Sequence, residues 1–383
     1  MVDLTGQYQG IKDQVLNAFD TILESAAFIN GPEVHAFQKE IESYLDVKHV
    51  IPCANGTDAL QVAMMGLELQ PGDEVITADF TFAATVEVIA LLQLTPILVD
   101  VDPDTFNINP AAIEAAITPK TKAIVPVHLF GQCAPMQEIM EIAKRHDLYV
   151  IEDNAQGIGA TYTYPDGQKA KTGTIGHVSA TSFFPSKNLG CYGDGGAVFT
   201  NNDELAHTIR GIVNHGMYER YHHDVVGVNS RLDSLQAAVL RAKLANLDGY
   251  TRSRQEAARA YTKHFNTDEN IVTPVIRNHC KTGGSPMCDS CDCHVFHQYT
   301  LRITNGKRDA VVDRLKEKEI PFGIYYPIPL HQQKAYTSEQ YNDSDFPVTN
   351  QLVQEVLSLP MHTELEKDQI EFIVKAVREG ASS

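Results

Sequence analysis

Basic residues are scarce in this sequence. Lysine and arginine total 31 against 49 aspartates and glutamates, a formal net charge of -18 at pH 7. That balance argues against nonspecific nucleic-acid binding, and any anionic ligand needs specific donors. No apolar run approaches the length of a membrane span, so no membrane partner is expected. The opening stretch "MVDLTGQYQGIKDQ" has neither the basic region nor the apolar core of a signal peptide, so the expected location is cytoplasmic. In that compartment the seven cysteines are expected as free thiols or a metal site rather than a disulfide framework. Internal repeats, low-complexity tracts and long flexible linkers are absent. So is the Walker pattern: in "SKNLGCYGDGG" the glycines follow Lys187 instead of preceding it. The first strand–turn–helix also lacks G-x-G-x-x-G, which leaves P-loop and nicotinamide readings weak.

The remainder has the composition of a globular protein, 43% hydrophobic and 21% charged. A length of 383 residues exceeds what one compact core usually holds, so two domains are expected. Seven short, apolar, β-branched runs read as buried strands: "HVIPCAN" (49–55), "DEVITAD" (73–79), "PILVDVD" (96–102), "KAIVPVHLF" (122–130), "LYVIEDNA" (148–155), "VSATSFF" (178–184) and "GGAVFTN" (195–201). Amphipathic stretches such as "TDALQVAMMGLEL" and "MQEIMEIAKRHDL" separate the first five. The alternation predicts an α/β fold with a mostly parallel seven-stranded sheet covered on both faces. Character changes near residue 267. The large domain is therefore placed at 1–250 with an N-terminal arm, and a smaller α+β domain at 251–383, bearing a Cys-rich insertion at 278–294.

Ligands of open α/β sheets sit beyond the carboxyl ends of the strands. That rule selects Asn55–Asp58, Phe80–Phe82, Asp153–Gln156 and Ser182–Lys187, at four separate strand ends. "NGTDALQ" ends a strand and opens a helix, whose free amides suit a phosphate. Gly56 admits close approach and Thr57 adds a hydroxyl; the plainer reading is a helix cap by Thr57 or Asp58. Asp153 alone reads as a turn or cap residue, yet if buried it needs a donor or a cation. A protonated pyridine nitrogen meets that need, and an Asp–pyridinium pair with a lysine Schiff base is the protein signature of pyridoxal 5'-phosphate (PLP). Phe82 can stack on such a ring or pack in the core. Ser182 can hold the phosphate or be an ordinary strand-end hydroxyl. A lone lysine is usually a solvated cation; Lys187, with an acid and a helix-end site upstream, reads better as the PLP lysine.

The ordered set "CANGTDAL", "DFTFAATVEVI", "VHLFGQCA", "VIEDNAQGIGA", "TSFFPSKNLGCYGDGGAVFTN", "GVNSRLDSLQAAVL", "YYPIPLHQQ" and "LSLPMH" strongly resembles the DegT/StrS family of PLP-dependent nucleotide-sugar aminotransferases. These motifs run along nearly the whole chain. "TSFFPSK", "GCYGDGGA" and "RYHH…GVNSRLD" are most like members acting on UDP-2-acetamido-2-deoxy-3-oxo-glucuronate. The resemblance implies the aspartate aminotransferase fold, glutamate and 2-oxoglutarate as amino donor and product, a UDP- or dTDP-linked keto sugar as acceptor, and a role in surface polysaccharide (lipopolysaccharide) biosynthesis. It implies that Lys187 bonds the cofactor and shuttles protons, that Asp153 holds the ring nitrogen, that Gln156 bonds the ring hydroxyl and that Phe82 stacks on the ring. Gly56, Thr57 and Ser182 would hold the phosphate, joined by Asn229 from the neighbouring subunit of a homodimer. Arg231 would anchor the substrate, with Tyr326 and His331 lining the sugar side. Related dehydratases carry histidine in place of the lysine; this chain keeps lysine, which favours transamination over the dehydratase alternative.

"NHCKTGGSPMCDSCDCHVFHQ" (278–298) departs from that pattern. Cys280, Cys288, Cys291 and Cys293 follow C-x7-C-x2-C-x-C. A structural zinc, disulfides and free thiols all remain open there. "RYHHD" (220–224) reads as a polar loop, since adjacent histidines point apart on a strand.

Overall fold

A computed structural model of the chain describes residues 1–277 and 292–382. All seven predicted strands form. They are β1 (His49–Cys53), β2 (Glu74–Ala78), β3 (Thr95–Val99), β4 (Thr121–Val125), β5 (Tyr149–Asp153), β6 (Val178–Ser182) and β7 (Gly196–Thr200). They make one sheet in the order β1-β7-β6-β5-β4-β2-β3. Only β7 runs against the others. Every residue of β7, "GAVFT", is buried, as a strand covered on both faces must be.

Helices cover both faces. α1 (Leu4–Ser25) and α2 (Pro32–Leu45) pack on the helix Ser234–Leu244. In α2, Val34, Phe37, Ile41 and Leu45 recur at helical spacing and bury one stripe against Phe183, Leu189 and Phe199. Arg241 fixes the pair by bonding Glu40 at 2.7 Å and Glu33 at 2.7 Å. α3 (Gly56–Gly66) lies on β6 and β7, and α4 (Ala84–Leu91) follows β2.

A second, antiparallel sheet joins Ile271–Val272, Tyr299–Ile303 and Val356–Leu359. Its core gathers Phe265, Tyr299, Leu301, Leu315 and Val377 from the strands and the helices Leu247–Phe265, Arg308–Glu317 and Lys367–Ser382. Residue 250 falls in the first turn of Leu247–Phe265. Among the described residues no helix is long and apolar enough to cross a membrane.

Cys280, Cys288 and Cys291 lie outside the described residues. Cys293 is 1% exposed within the main core, and its carbonyl accepts the Cys133 amide at 2.9 Å. Among the described residues no group of three His, Cys, Asp or Glu side chains is placed to hold a metal. The zinc expectation therefore finds no support. His222 and His223 form a short exposed strand, where His223 Nδ1 donates to the His215 carbonyl at 2.8 Å.

Candidate active site

The four strand ends singled out in the sequence converge on one cavity of about 670 Å³. β1 delivers Asn55, Gly56 and Thr57; β2 delivers Thr81 and Phe82; β5 delivers Asp153 and Gln156; β6 delivers Ser182 and Lys187. A further wall from the C-terminal part, Ile324 to Pro327, brings Tyr326 beside Phe82.

Asn55, rather than Thr57 or Asp58, caps α3: its side chain accepts the Asp58 amide at 2.8 Å, and its carbonyl accepts that of Ala59 at 3.0 Å. The amides of Gly56 and Thr57 stay outside both bonds, at the positive end of the helix dipole. A Cβ on Gly56 would stand 2.6 Å from the Ser182 Cβ. Glycine thus lets the helix end press against Ser182, so two amides and two hydroxyls share one corner.

Asp153 ends β5 and is 6% exposed. Its Oδ2 accepts from Thr85 Oγ1 at 2.8 Å and its Oδ1 from the Ala155 amide at 3.1 Å. Gln156 Oε1 accepts the Phe130 amide at 2.7 Å, while its Nε2 donates to the Tyr326 hydroxyl at 3.2 Å. That leaves one Nε2 hydrogen available. Phe82 is 59% exposed, with its ring centroid 6.2 Å from that of Tyr326.

Lys187 sits on a tight turn. Its amide donates to the Phe184 carbonyl at 2.8 Å. A Cβ on Gly190 would collide with the carbonyls of Phe184 and Pro185, so the glycine lets the chain fold back behind the lysine. Burial pushes the Lys187 amine down to about 8, with Asp153 pulling in the other direction.

Three residues expected at the site do not line the cavity. Asn229 is exposed and Arg231 partly buried on the segment after β7, where Ser230 Oγ accepts the Ala54 amide at 3.0 Å. His331 is buried beside Asp79. The sequence reading missed several groups. Thr85 grips Asp153 from α4, and Asp194 lines the cavity from the glycine turn. His297 also lines it, with Nδ1 3.3 Å from Asn188 Oδ1. Asn188 Nδ2 donates to the Val295 carbonyl at 2.9 Å, which turns its oxygen toward the imidazole and leaves His297 Nε2 as an acceptor. Burial, then Lys187 and Arg254, hold His297 well below the usual histidine range. A polar residue before a strand was its only sequence signal.

The residues present fit PLP. Thr81 Oγ1 is buried at the cavity wall without a hydrogen-bond partner, Phe82 offers an open aromatic face, and Gly56 keeps a corner clear beside Ser182. A lysine, a strand-end acid and a helix N-terminus on the carboxyl rim of such a sheet define an aminotransferase-type site.

The model of the DegT/DnrJ/EryC1/StrS aminotransferase family matches residues 9–378, and the chain belongs to that family. The UDP-2-acetamido-2-deoxy-3-oxo-D-glucuronate aminotransferase of Pseudomonas aeruginosa is 44% identical over 376 residues, covering 98% of each chain. The UDP-N-acetyl-3-dehydro-alpha-D-glucosamine 3-aminotransferase of Acidithiobacillus ferrooxidans is 44% identical over 379 residues, 99% of this chain and 96% of its own. A pleiotropic regulatory protein of Geobacillus stearothermophilus is also 44% identical, over 99% of this chain and 97% of its own. Among solved structures, S. venezuelae DesV in complex with a ketimine intermediate superimposes with a TM-score of 0.91 at 36% identity, covering 100% of this chain and 98% of that one. NtdA from Bacillus subtilis, with bound cofactor PMP, gives 0.86 at 29% identity, covering 98% and 82%.

Proposed function

We propose that this chain is a cytoplasmic, PLP-dependent aminotransferase that moves an amino group from glutamate to the keto carbon of a nucleotide-linked sugar. The acceptor favoured is UDP-2-acetamido-2-deoxy-3-oxo-glucuronate, made for surface polysaccharide. The activity printed for the Pseudomonas relative, at 44% identity over nearly all of both chains, supports that choice. Related UDP- or dTDP-linked 3-oxo and 4-oxo sugars are the alternatives. The observation that carries the reading is Lys187: a partly buried amine, lowered to about 8, opening into the cavity that also holds Asp153 and the Gly56–Thr57–Ser182 corner.

When bound, PLP supplies an electron sink for the carbon that exchanges its amine. The chain's own residues do the rest. Lys187, as a free amine, would take a proton at Nζ from the amine-bearing substrate carbon and hold it for return. Asp153, steadied by Thr85, accepts a charge-assisted hydrogen bond from the ring nitrogen. Phe82 covers a ring face, and Gln156, tied to Tyr326, offers its remaining hydrogen to the ring hydroxyl. The amides of Gly56 and Thr57 and the hydroxyl of Ser182 take the phosphate.

No arginine lines the cavity among the described residues, although a nucleotide sugar carries two phosphates. Asn229 and Arg231, outside their own cavity, are assigned to the site of a second copy in a homodimer, Asn229 at the cofactor phosphate and Arg231 at the substrate.

The test uses purified protein loaded with PLP, assayed in reverse with candidate amino sugars and 2-oxoglutarate. Lys187→Ala is expected to lose turnover and the visible absorbance band together. Retained turnover in that variant would end the proposal. A wild-type chain that binds PLP yet turns over none of the sugars would favour a regulatory role instead, the one named for the Geobacillus relative.

A further inference from the structure

Two loops line the cavity and meet through the rings of Phe82 and Tyr326. One follows β2 and carries Thr81 and Phe82; the other, in the C-terminal part, carries Ile324 to Pro327. Residues 79 and 331 stand at the roots of these loops, and neither lines the cavity.

Asp79 is fully buried and His331 is 5% exposed. Asp79 Oδ1 accepts the His331 amide at 2.8 Å, and Oδ2 lies 2.7 Å from His331 Nδ1. The Asp79 carbonyl accepts the Leu330 amide at 3.3 Å, while its own amide donates to Val99 on β3 at 2.9 Å. His331 Nε2 meets Asp343 Oδ1 at 3.1 Å, and the imidazole stacks on Phe346 with centroids 4.3 Å apart. Both ring nitrogens and one ring face are therefore occupied, so the imidazole has no polar atom left for a sugar. His331 lies only five positions after Tyr326, whose ring abuts Phe80 at 6.0 Å and Phe82 at 6.2 Å.

We propose that Asp79 and His331 are positioning residues, a latch that binds the Tyr326 wall to the Phe82 loop and so fixes where that wall stands in the substrate cleft. The role in the reaction rests on the aminotransferase reading above. The chemistry suits a latch. Burial lifts the Asp79 carboxyl above its ordinary range, the charge of Asp100 adds a little, and the bonds from His331 oppose that lift. Removing the imidazole strands a buried acid, and removing the acid strands an amide and a ring nitrogen. A neighbouring contact supplies the control. Asp100, following β3, accepts from the Val348 and Thr349 amides at 2.8 and 2.9 Å, holding the same C-terminal part through bonds outside residues 323–333.

Hydrogen exchange on the PLP-loaded enzyme tests the latch, alongside steady-state kinetics. In Asp79→Asn and in His331→Gln, amides over 323–333 are expected to exchange about tenfold faster. The KM for the nucleotide sugar should rise by a similar factor of about ten in each, and the double variant should be no worse than either single. Asp100→Asn should leave both readouts within about twofold of the wild type. If Asp79→Asn does not fold, Asp79→Glu keeps the charge, displaces it by one methylene and should loosen the same segment. Exchange and KM unchanged at position 79, with KM raised only by His331→Gln, would overturn the latch and return His331 to the substrate. The exchange readout needs no turnover, so it stands even if the sugar assignment fails.

Discussion

Thr85 Oγ1 donates to Asp153 Oδ2 at 2.8 Å, and both residues are buried. The bond leaves the carboxylate little rotational choice, so its direction is set before any cofactor arrives. Thr85→Val keeps the shape and deletes the donor. A hydrogen bond to a charged group is worth about 1.5–3 kcal/mol, so PLP should bind at least about tenfold more weakly. Titration of the apoprotein with PLP, followed by absorbance, measures this. Affinity within a factor of about two would mean that Thr85 does not orient Asp153.

The Lys187 amine, lowered from 10.5 to about 8 chiefly by burial, has a consequence for stability. Between those two values the unfolded chain binds more protons than the folded one, so falling pH favours unfolding there. Lys187→Met should therefore raise the apoprotein's melting temperature at pH 7, and the gain should shrink as pH rises toward 10.5. Carbamylation of Lys187 by cyanate, read by mass spectrometry, should be half-maximal near 8 in the apoprotein. A midpoint near 10.5 would show a solvated lysine and remove the central support for the proposed chemistry.

Gly56→Ala places a Cβ 2.6 Å from the Ser182 Cβ, and backbone on both sides must move. Overpacking of this kind costs about 1–3 kcal/mol. Because the strain falls where α3 meets Ser182, PLP affinity should fall by more than about tenfold while the melt shifts by only a few degrees. Equal loss of stability with unchanged PLP binding would place the phosphate elsewhere.

The sheet was legible because buried strands announce themselves locally. "GGAVFTN" and "LYVIEDNA" are apolar runs bounded by turn residues, and the carboxyl-end rule turned their ends into a site. Asn55 was less legible as a cap, since three residues within four positions, Asn55, Thr57 and Asp58, all suit that place. The contact of His331 with Asp79 was not legible either. The two residues lie 252 positions apart, and no periodicity reports a contact between distant chain segments. Thr85 was invisible for the same reason: it acts through Asp153, on another element. Of the four clustered cysteines, Cys293 alone lies among the described residues, and there it packs in the core, a burial that the dense local spacing did not announce.

Behind Asp153, on the adjacent position of β5, Glu152 is buried with four donors. Gly173, Ile175 and Gly176 give their amides at 2.8, 2.7 and 2.6 Å, and His128 Nε2 lies at 2.8 Å. The imidazole's other nitrogen accepts the Ala134 amide at 3.1 Å, so Nε2 carries the hydrogen and His128 serves as a neutral donor. The carboxylate is therefore the hub, and the histidine is one spoke. Glu152→Ala strands three amides and a ring N–H and should cost roughly 3–5 kcal/mol. His128→Ala leaves the carboxylate with its three amides and should cost less, apart from the cavity it opens. Thermal melts of the two variants give the order directly. A His128→Ala chain that melts below Glu152→Ala would mean that the imidazole's packing, rather than the anion, holds the turn behind the site.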